Sequence, residues 1–253
     1  MQGKSVVLST VVLVALILVM QPSAVSGVES GVAVPVSTKA VALDGRWTSS
    51  GEWQDGAEIE VSGAFFRLKH DDSCIYVLGD YVGDGQLNTN DVAWIYFDTL
   101  SNGGTKPQTD DYAFSIQWLS TSGVTLLMQI GTGTDWADAS AIHAGASSND
   151  ASSDPYSTSP HMIYEFKIPN SIFQPNTASI RARLSLHEGK TNAWLTWPAE
   201  TGRTNPSEWN QLDFPVPVPE FSWEMLALAL SLGASLPLLR SCSRKSPSSR
   251  MTR

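Results

Sequence analysis

From Val41 to Phe214, apolar and polar residues alternate over short runs separated by turn residues, and no long 3.6-residue period develops. Phe65–His70 reads as a first strand, turned by Asp71-Asp72-Ser73 into Cys74–Leu78. Val92–Phe97 follows an acidic loop. Tyr112, Phe114, Ile116 and Trp118 alternate with Ala113, Ser115 and Gln117, as in a half-buried strand, and Val124–Ile130 returns after Ser122-Gly123 to complete a hairpin. Further on, Tyr164, Phe166 and Ile168 alternate with Glu165 and Lys167 until Pro169. Ile180, Ala182, Leu184 and Leu186 alternate with Arg181, Arg183, Ser185 and His187, and Trp194–Trp197 and Gln211–Phe214 close the series. The small, polar stretch Ala144–Pro160 predicts a surface loop, either functional or disordered. The expectation is an all-β fold, a two-sheet antiparallel β-sandwich over residues 41–214. A domain of about 175 residues buries a core without disulfides.

The ends read differently. Lys4, the uncharged run Val6–Met20 and the small residues Ala24 and Ser26 make residues 1–26 a secretory signal helix, with a retained N-terminal anchor as the alternative. The run is shorter than the roughly 20 residues a span needs. A polar leader, 27–40, follows. At the other end a Pro-rich spacer, 215–220, precedes a hydrophobic helix, 221–239, and a tail, 240–253, carrying Arg240, Arg244, Lys245, Arg250 and Arg253 without an acid. Basic residues hold such a tail on the cytoplasmic side, so the body is expected outside, tethered at the outer face of the cell membrane. Pro219-Glu220-Phe221, the apolar helix and the basic tail resemble the archaeal PEF-CTERM sorting signals. That resemblance implies an archaeosortase-like processing enzyme as partner; uncut, the helix is a plain membrane anchor.

With both ends set aside, the body keeps 23 of the 25 acids and 10 of the 16 bases. It has no basic patch to neutralise phosphates, which argues against nucleic acid as a partner. Cys74 lies in the body and Cys242 beyond the anchor, so neither a disulfide framework nor a zinc cluster is available. No N-x-[ST] sequon occurs.

Chemistry concentrates between Asp80 and Asp111. Asp80, Asp84, Asn88 and Asp91 occupy positions 1, 5, 9 and 12 of an EF-hand-like loop with Gly85 at position 6, so Ca²⁺ is the candidate cofactor. Position 3 is Val82, and a strand rather than a helix follows. Turn formation explains the same residues. Asp98, Asp110 and Asp111 are further metal candidates.

Eight of the nine Trp lie in the body. In Val92–Phe97, Ala93, Ile95 and Phe97 share one face and Trp94 and Tyr96 the other, and both faces cannot be core in a sandwich. Sugar rings stack on flat apolar faces while amides and Arg bond the hydroxyls. Trp94, Tyr96, Gln117, Arg183, Asn192 and Trp194 are therefore the candidate ligand-binding residues, whereas Trp47, Trp53 and Trp118 are assigned to the core. For any single aromatic, packing is the competing explanation. No haem is expected: His70, His143, His161 and His187 read as surface histidines, Met128 and Met162 as core, and no C-x-x-C-H occurs. No G-x-S-x-G or H-E-x-x-H motif supports catalysis.

Several blocks carry a family resemblance. Leu43-Asp44-Gly45 with Gly51-Glu52-Trp53 resembles the opening of the DOMON-like sandwich domains, which include the family-nine carbohydrate-binding modules. So do Leu68-Lys69-His70-Asp71-Asp72 with Ile75-Tyr76-Val77, Asp91 with Phe97-Asp98-Thr99, Asp110-Asp111-Tyr112-Ala113-Phe114, and Tyr164-Glu165-Phe166-Lys167-Ile168-Pro169. The resemblance implies a jelly-roll-like sandwich without catalysis, with sugar in some members, haem in others and structural calcium in some. The expectation is an exported, surface-tethered, non-enzymatic module binding carbohydrate or envelope glycan. The alternatives are a structural envelope protein without a sugar ligand and a haem-binding electron carrier.

Overall fold

The computed structural model describes residues 31–120, 123–173 and 177–214. The signal helix, the C-terminal spacer, helix and tail, and Pro219, Glu220 and Phe221 lie outside the described residues. Two sheets form the molecule. The larger runs β1 (Val32–Ala33), β13 (Asn210–Asp213), β11 (Ser179–Glu188), β5 (Val92–Asp98), β6 (Asp111–Ser120), β7 (Gly123–Gly131) and β8 (Trp136–Ala139). β12 (Ala193–Trp197) pairs with the far half of β11, on the side that β13 occupies lower down. The smaller sheet runs β2 (Ala57–Val61), β3 (Ala64–His70), β4 (Cys74–Tyr81), β10 (Met162–Pro169) and β9 (Ala144–Ser148). Every pairing is antiparallel except β1 with β13.

The period of two sets which side chains meet between the sheets. Ala93, Ile95 and Phe97 of β5, Phe114 and Ile116 of β6, and Ala182, Leu184 and Leu186 of β11 point inward. They meet Phe66 and Leu68 of β3, Val77 of β4, and Phe166 and Ile168 of β10. Trp118 joins this core, as assigned.

Trp47 and Trp53 are buried too, but in a second cluster on the outer face of the smaller sheet, with Leu78, Ala151 and Ile163. The smaller sheet is thus covered on both faces, and polar positions expected to meet water are enclosed. Lys69 is fully buried and donates through Nζ to Lys39 O (2.9 Å), Glu52 O (2.6 Å) and Asp55 Oδ1 (2.8 Å). Glu165, also fully buried, accepts from the backbone N–H groups of Asp44 (2.9 Å) and Gly45 (2.7 Å) and from Trp53 Nε1 (3.1 Å). The Asp44-Gly45 and Glu52-Trp53 blocks are therefore fastened by a residue 120 positions downstream.

Two readings of the sequence are corrected. Ala144–Pro160 is not a loop throughout. Its first five residues form β9, and the remainder lies against the outer cluster, with Ala151 and Asp154 buried. The strand lacks apolar alternation because a close approach selects small residues: a Cβ on Gly145 would stand 2.4 Å from Ile116 Cδ1. The polar leader also joins the fold at its far end, where Val32–Ala33 pairs with Leu212–Asp213 and Val34 is fully buried.

Candidate functional site

The outward side chains of the larger sheet form cross-strand rows. One row runs Trp194, His187, Val92, Gln117, Thr125; the next runs Thr196, Ser185, Trp94, Ser115, Leu127; a third runs Arg183, Tyr96, Ala113, Gln129. The segment 198–209 folds back over the third row. Trp209 packs on Tyr96, with ring centroids 5.8 Å apart, and lies parallel to Trp136 at 6.4 Å. Trp136 Nε1 donates to Arg203 O (3.1 Å) and Trp209 Nε1 to Gly202 O (3.1 Å). This roof leaves the first two rows open as a groove of about 570 Å³, lined by both Trp94 and Trp194. That volume is in the range of small-molecule sites, roughly 300–1,000 Å³.

Trp94, Gln117, Asn192 and Trp194, four of the six residues nominated for ligand contact, line the groove. Trp194 remains 48 % exposed and packs one face near His187, with centroids 4.3 Å apart. His187 holds Asn90 O through Nδ1 (2.9 Å) and Asn192 Oδ1 through Nε2 (2.9 Å). Asn192 has φ of 59°, a left-handed conformation that Asn tolerates better than most residues. Gln117 donates Nε2 to Thr89 O (2.8 Å), which leaves its carbonyl oxygen for the groove. Arg203 sits 5.9 Å over the Trp94 ring. Amide, hydroxyl and guanidinium groups around two indoles can bond hydroxyls in directions fixed by the sheet, and among the described residues no carboxylate lines the groove.

Tyr96 and Arg183 do not line it. Tyr96 is 2 % exposed beneath Trp209, and the Arg183 guanidinium lies 5.0 Å over its ring, bonded to Thr201 O and Thr196 Oγ1. Alternation places both on the outer face, but periodicity does not reveal that a later segment roofs them. Arg203, from that segment, was missed for the same reason. His187, Ser115 and Thr125 were legible as neighbours of nominated residues on alternating strands. His143, His161 and His187 were expected at the surface and are buried, each with a carbonyl or carboxylate partner.

The EF-hand-like set is not gathered at one point. Asp80 bonds His161 Nε2 (2.8 Å) and Trp47 Nε1 (3.2 Å). Asp91 accepts from Gly189 N (2.8 Å) and Asn88 N (2.6 Å), and Asn88 Oδ1 accepts from Asn90 N (2.9 Å), so both shape turns. Asp84 accepts weakly from Gln86 N (3.4 Å), and burial next to Asp91 pushes it up to about 7. Among the described residues two donor clusters do form: Asp80, Asp154 and His161, and Asp98, Asp110 and Asp111. The first contains its own cation. Burial opposes it, but bonds to Asp154 and Asp80 hold His161 up at about 10.

No family model matches the chain, and no curated protein matches it by sequence. The fold is similar to that of a family 9 carbohydrate-binding module from Caldicellulosiruptor kristjanssonii, solved with cellotriose and with glucose. TM-scores are 0.52 for both, at 15 % and 16 % identity, covering 75 % of this chain and 96 % and 99 % of those chains.

Proposed function

We propose that the groove binds carbohydrate and that the protein is a non-catalytic binding module. The observation that carries this reading is the pair of indoles, Trp94 and Trp194, brought from strands about 100 residues apart to one groove with amide, hydroxyl and guanidinium groups around them. Pyranose rings present flat C–H faces to indoles and hydroxyls to amides, which matches that lining. Since the fold resembles a module seen with cellotriose and glucose, neutral gluco-oligosaccharides are the first ligands to try.

In the same reading, residues 1–26 export the chain and residues 221–239 hold it at the outer face of the cell membrane, with an archaeosortase-like enzyme as processing partner at Pro219-Glu220-Phe221. The support is the sequence pattern of both ends and one geometric fact. β13 ends beside Ser179, whereas the groove lies around His187 on the same neighbouring strand, roughly 26 Å away at about 3.3 Å per residue. A C-terminal tether therefore holds the groove at a distance from the point where the chain leaves the sandwich.

A glycan array followed by calorimetry on the full-length chain tests the proposal. Saccharide binding lost in Trp194→Ala, with the melting temperature kept, supports it. No binding to any saccharide would leave a structural envelope protein.

A further inference from the structure

The five arginines among the described residues differ in what they hold. Arg46 pairs with Asp44 and Asp150, and Arg67 with Glu58. Arg181 donates to the carbonyls of Ser207 and Trp209, and Arg183 to Thr201 O and Thr196 Oγ1, so both fasten the roof. Arg203 is the exception. It is exposed at the groove wall and makes no ion pair among the described residues. Its guanidinium stands 3.5 Å from Gln129 Oε1, at the long limit of a hydrogen bond. That contact takes at most one of its five N–H donors.

The backbone that carries this side chain is fixed on both sides. Trp136 Nε1 donates to Arg203 O and Trp209 Nε1 to Gly202 O, from indoles that lie parallel. The guanidinium lies 5.9 Å from the Trp94 ring, just as that of Arg183 lies 5.0 Å from Tyr96, and the two rings stack 5.7 Å apart. Two cations therefore stand side by side along two stacked rings. Burial pushes Arg183 down from its ordinary value, and the charge of Arg203 adds to that push. The acids bonded to the surroundings are engaged elsewhere: Asp138 accepts from Gln129 Nε2 (2.9 Å) and Glu208 from Gly202 N (3.3 Å), and neither lines the groove.

We propose that Arg203 forms an anionic subsite of the groove, so that the preferred ligand is an acidic saccharide, a sugar ring carrying a carboxylate or a sulfate ester. This rests on the carbohydrate reading and narrows it: the indoles take the ring and Arg203 its charged substituent. A neutral sugar closing over the guanidinium displaces water and returns only neutral acceptors. A carboxylate or sulfate returns two parallel charge-assisted bonds, each roughly twice as strong as a neutral one. The acidic body opposes an anion, but beyond about 8 Å that field is screened at physiological salt, and the local guanidinium decides.

The test is calorimetry on the full-length chain with cellobiose, with the disaccharide whose non-reducing glucose is replaced by glucuronic acid, and with a cellobiose 6-sulfate. Expected is roughly ten-fold tighter binding of an acidic member than of cellobiose, with the margin shrinking as salt is raised. A gain with the uronic acid assigns the subsite to carboxylates, and a gain with the sulfate alone assigns it to sulfate esters. In Arg203→Met the ratio of acidic to neutral affinity should fall to parity, and in Arg203→Glu it should reverse. Arg203→Lys, which keeps the charge and loses the fork, should retain part of the preference. Melting temperatures of the three variants show that they are folded, since the bonds at this position are made by the backbone carbonyls. Cellobiose bound as tightly as both acidic members overturns the subsite and leaves the groove reading intact. A preference that survives Arg203→Met also overturns it. Binding of none of the three removes the carbohydrate reading and the subsite with it.

Discussion

The imidazole of His187 lies 4.3 Å from the indole of Trp194, centroid to centroid, while its Nε2 is 2.9 Å from Asn192 Oδ1. One histidine therefore supports both an exposed ring and a polar group of the groove. Because Trp194 is half exposed, its truncation should leave stability nearly unchanged while removing a ligand-facing surface. Trp194→Ala is expected to weaken saccharide binding by about 30-fold, the ~2 kcal/mol typical of a hot-spot aromatic. Its melting temperature should stay within about 4 °C of wild type. His187→Ala should weaken binding less and lower both together, since it acts by positioning. Calorimetry paired with melting separates the two cases. Wild-type affinity in Trp194→Ala would remove this groove from consideration.

Strand positions were legible because alternation alone decides which residues of β5, β6, β10 and β11 face the core, and burial of Ile95, Phe114, Phe166 and Leu184 follows it. What covers the outward faces was not legible. Tyr96 and Trp94 are equivalent by periodicity, yet one is under Trp209 and the other lines the groove. That difference is made by a segment more than 100 residues away with no regular pattern of its own. The same reasoning applies to Lys69 and Glu165, which alternate as surface residues do but are enclosed by the loop that contains Trp47 and Trp53. β9 escaped notice because close packing against Ile116 favours glycine and alanine over the branched residues that mark strands.

Gly45 explains why an Asp-Gly pair opens the domain. Its φ is +79°, and a Cβ there would stand 2.5 Å from the backbone carbon of Ser147. Gly45→Ala meets both backbone strain and a collision with another backbone, so it should destabilise by about 2 kcal/mol or more. That is a fall of roughly 4–8 °C in melting temperature for a domain of this size. The same substitution at Gly51, where nothing lies within 4 Å and φ is not positive, is the control and should be close to neutral. Equal melting of the two variants would contradict this account of the turn.

Lys69 is a second fastening of the same loop. Its ammonium satisfies two carbonyls and Asp55, whose carboxylate also accepts from Thr38 N and Lys39 N. Lys69→Met keeps the length of the side chain but removes the donor to both carbonyls and to Asp55 Oδ1. Loss of one partner of a buried pair costs about 3–5 kcal/mol. Hydrogen exchange should show the effect first at Thr38 and Lys39, ahead of β5 and β6, because the loop opens before the sandwich does. Uniform exchange across both sheets would show that the loop and sandwich unfold as one unit.

The buried triad of Asp80, Asp154 and His161 makes stability depend on alkaline pH. His161 Nε2 lies 2.8 Å from Asp80 and 3.0 Å from Asp154, and Nδ1 lies 2.7 Å from Ser159 O. Burial works against the charge, but the bonds to Asp154 and Asp80 win, and the folded value is raised from 6.5 to about 10. The folded state therefore holds a proton that the unfolded state releases near pH 6.5. Its stabilising contribution is complete below pH 6.5, declines as pH rises, and is gone above about 10. Denaturant midpoints measured from pH 6 to pH 10 should fall steadily for wild type. In His161→Gln the fall should be much shallower, from a starting stability about 3–5 kcal/mol lower, since two buried carboxylates have lost their counter-charge. A wild-type slope matched by His161→Gln would assign the alkaline loss to other groups and leave the triad uncharged.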